Sequence, residues 1–219
     1  EPGVIVVDVS DPSAPTKVDS LVIEDAAGMA YVGGYLQVLT HAGGLHTLVL
    51  SQGDVLEEVH QIDGLGNPWT LTSDGVWGYV ADNSKGLVVL DMSDPSAPSI
   101  ATTVMAQGGA QDVTQEGDVV FLAVGSKGVQ AFDVSTPTSP LSLGVTEVDG
   151  AAINVSAKDG RVWYATQQSV GVIDASDPMA LLGLAVEDTP SWAMAVTAAS
   201  STAYVADWRY IEVLTVDAE

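Results

Sequence analysis

Residues 86–98 read GLVVLDMSDPSAP, and the chain repeats this phrase three more times: GVIVVDVSDPSAP from Gly3, GVQAFDVSTPTSP from Gly128, and a worn copy, VGVIDASDPMAL, from Val170. The repeated aspartate falls at Asp8, Asp91, Asp133 and Asp174. The wide gap between the first two holds one degenerate copy, GLHTLVLSQGDV from Gly44. The period is about 42 residues, inside the range of propellers and helical arrays. A repeat of this kind fixes the architecture, so any functional site must be sought where the copies differ.

One unit, from Pro68 to Met105, shows what each copy builds. Trp69 to Thr72 is a short apolar strand ending at the turn Ser73-Asp74-Gly75, and Val76 to Ala81 is a second, rich in aromatic and β-branched residues. Asn83 to Gly86 makes a turn, after which Leu87 to Met92 is almost wholly apolar, as a strand covered on both faces requires. Asp94-Pro95-Ser96-Ala97-Pro98 breaks the chain, and Ile100 to Met105 supplies a fourth strand. Four short strands joined by tight turns are one propeller blade, with strands a to d in order. The 22 Gly and 10 Pro fall at these junctions, where a helical array would not tolerate them.

The stretch YVADNSKGLVVLDMSDPSAP from Tyr79 resembles the LVIVD-repeat β-propellers, whose consensus runs YVADxxxGLxIVDVSDPxxP, and the resemblance extends over nearly the whole chain. It implies an all-β propeller of four-stranded antiparallel blades, and a secreted or surface-attached bacterial or archaeal protein, extracellular or in the cell envelope. Residues 1–219 read as a single propeller domain or a portion of one, with repeat boundaries near 25, 67, 108, 150 and 190. Two strands at the start, four full blades and three strands at the end make 21 in all. A five-bladed ring needs 20 strands and a six-bladed ring 24. The expectation is therefore part of a larger propeller, with a closed five-bladed ring as the alternative. The chain opens on Glu-Pro in mid-repeat, which reads as a mature form or an excised portion.

Charge narrows the function classes. Against 29 acidic residues, 20 of them Asp, stand four Lys and two Arg, a formal net charge of −23. Such a field repels nucleic-acid phosphates and anionic membrane surfaces. With no Cys there is no disulfide and no thiolate chemistry. No apolar run reaches the ~20 residues of a membrane-spanning helix.

Candidate sites follow from the same repeats. The row of Asp8, Asp91, Asp133 and Asp174, with Asp11, Asp94 and Asp177 before Pro, resembles calcium ligands. A device repeated in every blade reads better as a turn in which Asp and Ser side chains bond nearby backbone N–H groups. His41, His46 and His60 have no compact metal spacing, and no cofactor or metal is expected. Asn154-Val155-Ser156 fits a glycosylation pattern but falls in a first strand beside the channel.

Loops joining d to a and b to c open on one face. Trp69 and Trp192 occur there in the contexts GNPW and TPSW, and Trp208 lies in the last b-to-c loop. Lys85, Lys127 and Arg209 lie in b-to-c loops, with His41 in the degenerate copy. Aromatic residues and Arg are the anchors of interfaces. The opposite face reads as more uniformly acidic. The expected function is a non-enzymatic extracellular module binding a protein or envelope polysaccharide through this rim. The alternative is a hydrolase or lyase working in the central channel, for which two Arg and three His are a meagre supply.

Overall fold

The computed structural model describes residues 3–199 and 201–216 and is all-β. Its strands follow the repeat. β1 (Gly3–Asp8) and β2 (Thr16–Val22) form a hairpin, blade I. Blade II is β3 (Ala26–Val32), β4 (Tyr35–Thr40), β5 (Gly44–Leu50) and β6 (Leu56–Asp63). Blade III is β7 (Pro68–Ser73), β8 (Trp77–Asp82), β9 (Gly86–Asp91) and β10 (Ser99–Val104). Blade IV is β11 (Asp112–Glu116), β12 (Val119–Ala123), β13 (Val129–Asp133) and β14 (Leu141–Thr146). Blade V is β15 (Asn154–Lys158), β16 (Arg161–Ala165), β17 (Ser169–Asp174) and β18 (Leu182–Asp188). Blade VI is β19 (Ala193–Ala199), β20 (Thr202–Asp207) and β21 (Ile211–Thr215). Among the described residues, twenty-one strands in the order two, four sets of four, and three match the strand count expected from the repeat.

The core lies in the seams between blades. Between blades III and IV, Tyr79, Ala81, Leu87 and Val89 meet Val113, Val120, Leu122 and Phe132, all buried. Phe121, Ala131, Val155, Val162, Tyr164 and Ile173 fill the next seam. Both faces of an inner sheet are therefore apolar, which is why β9 reads as an unbroken hydrophobic run and is buried up to Asp91. In every blade with both c and d strands, the pairing slips once, as between Val6 and Val7 or between Ala131 and Phe132. A bulge at this constant place increases the twist of each blade toward its outer edge.

The aspartate row is turn chemistry, as the spacing suggests. Asp8, Asp91, Asp133 and Asp174 each accept the backbone N–H two residues on at 2.8–2.9 Å. Asp11, Asp94 and Asp177 do the same at 3.0 Å. At Asp8, Asp11, Asp91, Asp94, Asp133 and Asp174 the serine two residues on holds the carboxyl below the ordinary value, its hydroxyl foremost at all of them but Asp8, where its backbone N–H is foremost. Because the folded-state pKa is depressed, this contribution is present above the unfolded value near 3.8 and is lost as pH falls through the folded values. An Asp91→Asn, Asp133→Asn, Asp174→Asn variant is expected to lose less of its urea midpoint between pH 5 and 2 than the parent. Parallel decline of the two would remove the carboxylates from the acid transition.

Blade I and blade VI share no hydrogen-bonded strand pair among the described residues. Each leaves apolar side chains exposed. Tyr204 of blade VI is 45% exposed while Tyr79, at the same place in blade III, is 1% exposed. At the other end Ile5, Val7, Met29 and Tyr31 are exposed.

Candidate binding surface

The five a strands, β3, β7, β11, β15 and β19, run side by side at the innermost position of the arc. Side-chain oxygens of one a strand take up backbone N–H groups of the next. Thr70 Oγ1 accepts from Val113 at 3.1 Å, Asp112 Oδ2 from Val155 at 2.9 Å, and Asn154 Oδ1 from Val196 at 2.7 Å. A second tier repeats this: Thr114 Oγ1 accepts from Ala157 at 3.3 Å and Ser156 Oγ from Ala198 at 2.9 Å. At the strand ends Glu116 accepts from Asp159 and Gly160. Burial pushes the Asp112 carboxyl up, against the pull of the Val155 N–H and of Asn154 Nδ2 at 2.5 Å. The glycosylation-like Asn154 and Ser156 are thus spent on holding blades together. In the first tier the pattern breaks at Gly28, where a Cβ would fall on the Trp69 carbonyl, so β3 and β7 touch backbone to backbone. Sequence reasoning missed this ladder. Its signal was a polar residue at one place in successive a strands, Thr70, Asp112 and Asn154, which repeat alignment alone does not flag.

Residues at the ends of the b strands organise the opposite end of the seams, on the face where d-to-a and b-to-c loops meet. Asp82, fully buried, accepts four backbone N–H groups: Gly66 at 2.6 Å, Asn67 at 2.9 Å, Ser84 at 2.9 Å and Lys85 at 3.0 Å. It locks its own b-to-c loop to the segment entering its blade. Thr40 and Thr166 hold the corresponding hairpins with hydroxyls. In blade VI, Asp207 accepts from Arg209 at 2.6 Å and Tyr210 at 2.5 Å.

The rim aromatics divide into two groups. Trp69 stands in the bulge between Pro68 and Thr70, its Nε1 donating to Asn67 Oδ1 at 2.7 Å, with the His41 ring edge-on at 5.0 Å. His41 Nδ1 donates to the Pro68 carbonyl at 3.1 Å, so the b-to-c loop of blade II leans on the start of blade III. Trp192 and Trp208 form the second group, joined by a backbone bond from Trp208 N–H to the Trp192 carbonyl at 3.0 Å. Strand register makes Trp192 the counterpart of Asn67 rather than of Trp69. Asn83 N–H bonds the Asn67 carbonyl just as Trp208 bonds Trp192, and Met194 occupies the bulge. Blades IV and V stand between the two groups. Trp208 corresponds to His41 and Asn83, residues that touch the following blade, which accounts for its 70% exposure at the end of the arc.

The cations are less concentrated than the loop reading suggests. Lys85 is half-buried and its Nζ donates to the Gly64 carbonyl, while Lys127 and Arg209 are exposed. Lys158 and Arg161 flank the a-to-b turn of blade V, so the opposite face is not uniformly acidic. Arg161 there lies close enough to Asp174 to favour its ionised form. Among the described residues no group of three or more His, Asp or Glu is arranged to hold a metal ion.

A cavity of about 360 Å³ opens beside Trp192, lined by Gln167, Gln168, Asp188, Thr189, Pro190 and Ser191. It lies between the b-to-c loop of blade V and the segment leading into blade VI, tied together by Thr189 N–H to the Gln168 carbonyl at 2.9 Å. A half-exposed indole beside amides, a hydroxyl and a carboxylate can stack on an apolar face and hydrogen-bond its edge. Thr189 to Trp192 are the TPSW stretch of the sequence reading, while Gln167 and Gln168 match no motif and are brought beside it by the fold.

The model of the LVIVD repeat matches residues 2–22, 66–106 and 107–145. A sequence search of curated proteins finds no match. Among solved structures, a functionally unknown protein from Desulfotomaculum acetoxidans superposes with a TM-score of 0.76 at 12% identity, covering 92% of this chain and 69% of its own. A structure of the nidogen/laminin complex gives 0.66 at 12% identity, covering 94% of this chain and 81% of that one. BamB from Moraxella catarrhalis gives 0.68 at 13% identity, covering 91% and 61%. Such identities establish the fold and leave the site to its own residues. This chain is a β-propeller protein that carries LVIVD repeats.

Proposed function

We propose that this propeller is a non-enzymatic interaction module of the cell exterior or envelope, binding a protein or polysaccharide through the face formed by its b-to-c and d-to-a loops. The observation that carries the reading is the solvent-facing indoles of Trp69 (41% exposed) and Trp192 (55% exposed) on that face, the second beside a polar cavity. Exposed aromatics held by hydrogen bonds on a rigid scaffold lose little entropy on binding and anchor interfaces. The groups a channel enzyme would draw on are otherwise engaged: Asp82 and Asp112 hold backbone N–H groups, His41 bonds a carbonyl and His46 lies 3.1 Å from Glu58. A protein partner is favoured by analogy with the nidogen/laminin complex, a protein–protein assembly that contains a chain of this fold.

The test is capture from envelope extract of the source organism, and retention on immobilised envelope polysaccharide, by the parent and by a Trp69→Ala, Trp192→Ala variant with an unchanged far-ultraviolet spectrum. Loss of at least tenfold in retention of one defined ligand, about 1.4 kcal/mol, is the expected result. Equal retention by both would sink the rim as a binding surface.

A further inference from the structure

A short segment leads from strand d of each blade into strand a of the next and closes the rim end of the seam between them. Into blades II to V it does so with an apolar side chain. Ile23 and Leu65 are buried, and Ala106 and Val148 are half-buried against the cores of their seams. Leu65, Ala106 and Val148 each stand two residues after the end of strand d. On the way into blade VI that place is taken by Pro190, which is exposed. Among the described residues, nothing between Asp188 and Ala193 joins the core between blades V and VI. The cavity of about 360 Å³ opens at this place, between Gln167 and Gln168 of the b-to-c loop of blade V and the segment Thr189-Pro190-Ser191-Trp192. Both of its walls lie wholly within the described residues.

The groups around this cavity are uncommitted. Among the described residues no hydrogen bond engages the side chains of Gln167, Gln168, Asp188 or Trp192, whereas Trp69 spends its Nε1 on Asn67 and has the His41 ring edge-on against it. The set is mixed: carboxamides donate and accept, the indole N–H only donates and the carboxylate only accepts. A Lys or Arg side chain, which only donates, would leave the amide and indole N–H groups unmatched. An anion would face Asp188 with no Lys or Arg in the wall to offset it. A hydroxyl donates and accepts, so it suits every member of the set. The half-exposed indole adds a requirement for an apolar face. A sugar ring meets both demands, with C–H groups on its face and hydroxyls at its edge.

We propose that the cleft between blades V and VI is a carbohydrate subsite that takes an uncharged sugar residue. It rests on the reading of the rim as a binding surface and narrows the ligand at Trp192 to a neutral glycan. Trp192 stacks on the ring, Asp188 accepts from its hydroxyls, and the Gln167 and Gln168 amides both give and take hydrogen bonds at the opposite edge. A cavity of about 360 Å³ lies at the small end of the roughly 300–1,000 Å³ usual for ligand pockets, which suits a short stretch of sugar rather than a long chain. Uronic and other acidic sugars are refused by Asp188, with Glu187 next to it in β18. Trp69 has no such cleft beside it and takes no part.

The probe is an array of uncharged oligosaccharides, built from hexoses and N-acetylhexosamines in α and β linkage, beside uronic-acid oligosaccharides and a Lys- and Arg-rich peptide. The parent is expected to hold at least one uncharged glycan and no acidic one, with little dependence on salt. Trp192→Ala should weaken that binding about tenfold or more, and Trp192→Phe far less, because any aromatic face stacks. Asp188→Asn and Gln168→Ala should each weaken it about two- to tenfold, and Trp69→Ala should leave it unchanged. These positions are exposed, so each variant is expected to keep the parent's melting temperature. Failure of the parent to hold any uncharged glycan overturns the proposal, and so does equal binding by Trp192→Ala. Preferential retention of the basic peptide, released by salt, also overturns it, since Asp188 would then serve a protein partner. Capture from envelope extract decides the wider reading separately. If capture is lost in the Trp69→Ala, Trp192→Ala variant while no glycan binds, the rim stands and the sugar subsite falls.

Discussion

Asp82→Ala is expected to lower the stability of the propeller by about 3–5 kcal/mol, among the largest effects of any single side chain in the molecule. The carboxylate is fully buried and accepts from four backbone N–H groups, of Gly66, Asn67, Ser84 and Lys85. Alanine strands all four, and each unmet buried donor costs about 1–3 kcal/mol, less where water can enter the loosened loop. A graded series separates this cause from the loss of bulk. Asp82→Thr should cost less than alanine, because Thr166 shows that a hydroxyl at this place accepts the two hairpin N–H groups. The bonds to Gly66 and Asn67 would still be lost. Asp82→Asn keeps one acceptor oxygen but points its amide at the Gly66 N–H, and should fall between the two. Asp91→Ala, which removes a turn carboxylate that accepts a single backbone N–H, serves as the control. Urea denaturation with the slope held constant measures all four. An Asp82→Ala cost near that of Asp91→Ala would show that the blade entry does not depend on this bracket.

The repeat made the blades legible from the sequence because one phrase determines three things at once: an apolar strand buried on both faces, an Asp-Ser turn and a Gly-bounded hairpin. β9 and the Asp91-Met92-Ser93-Asp94 turn carry all three in a single stretch. The position of the rim aromatics was less legible, since shared words do not guarantee shared register. GNPW and TPSW look equivalent, yet pairing of Pro68 with Asp82 and of Ala193 with Asp207 displaces Trp192 by two residues from Trp69. The a-strand ladder escaped for a different reason. Thr70, Asp112 and Asn154 differ in type and share only the task of presenting an oxygen to the next blade. A repeat search rewards identity, whereas the seam selects geometry. Lys158 and Arg161 escaped the reading of the opposite face as acidic because they flank the a-to-b turn of blade V, outside the b-to-c loops on which the cation reading rested.

Gly86 and Gly128 support the second large prediction, because they open the c strands at the point where those strands meet the end of strand d. Both have φ near +85°, at +84° and +85°, where a side chain strains the backbone by about 1–3 kcal/mol. Space compounds the strain. A Cβ on Gly128 would fall on the Thr146 carbonyl and within 3.0 Å of the Glu147 Cα, and one on Gly86 would fall on the Ala106 N and within 2.6 Å of the Val104 carbonyl. These neighbours are backbone, so relief requires moving strand β10 or β14 away from its partner, at a further ~1–3 kcal/mol. Gly128→Ala and Gly86→Ala are each expected to cost about 3–5 kcal/mol. Gly75 supplies the internal control. Its φ is +100° but nothing lies within 4 Å of an added Cβ, so Gly75→Ala should show the conformational part alone, about 1 kcal/mol. The difference between the two measurements isolates the cost of prising d from c. If Gly86→Ala and Gly75→Ala proved equally damaging, close approach of the strands would contribute nothing. The glycine of the repeated phrase would then be needed only for its left-handed turn. If the expected gap appears, the same reasoning explains blades V and VI. Their hairpins between b and c are one residue shorter, and Ser169 and Tyr210 stand where the glycine would be, with neither among the positive-φ residues.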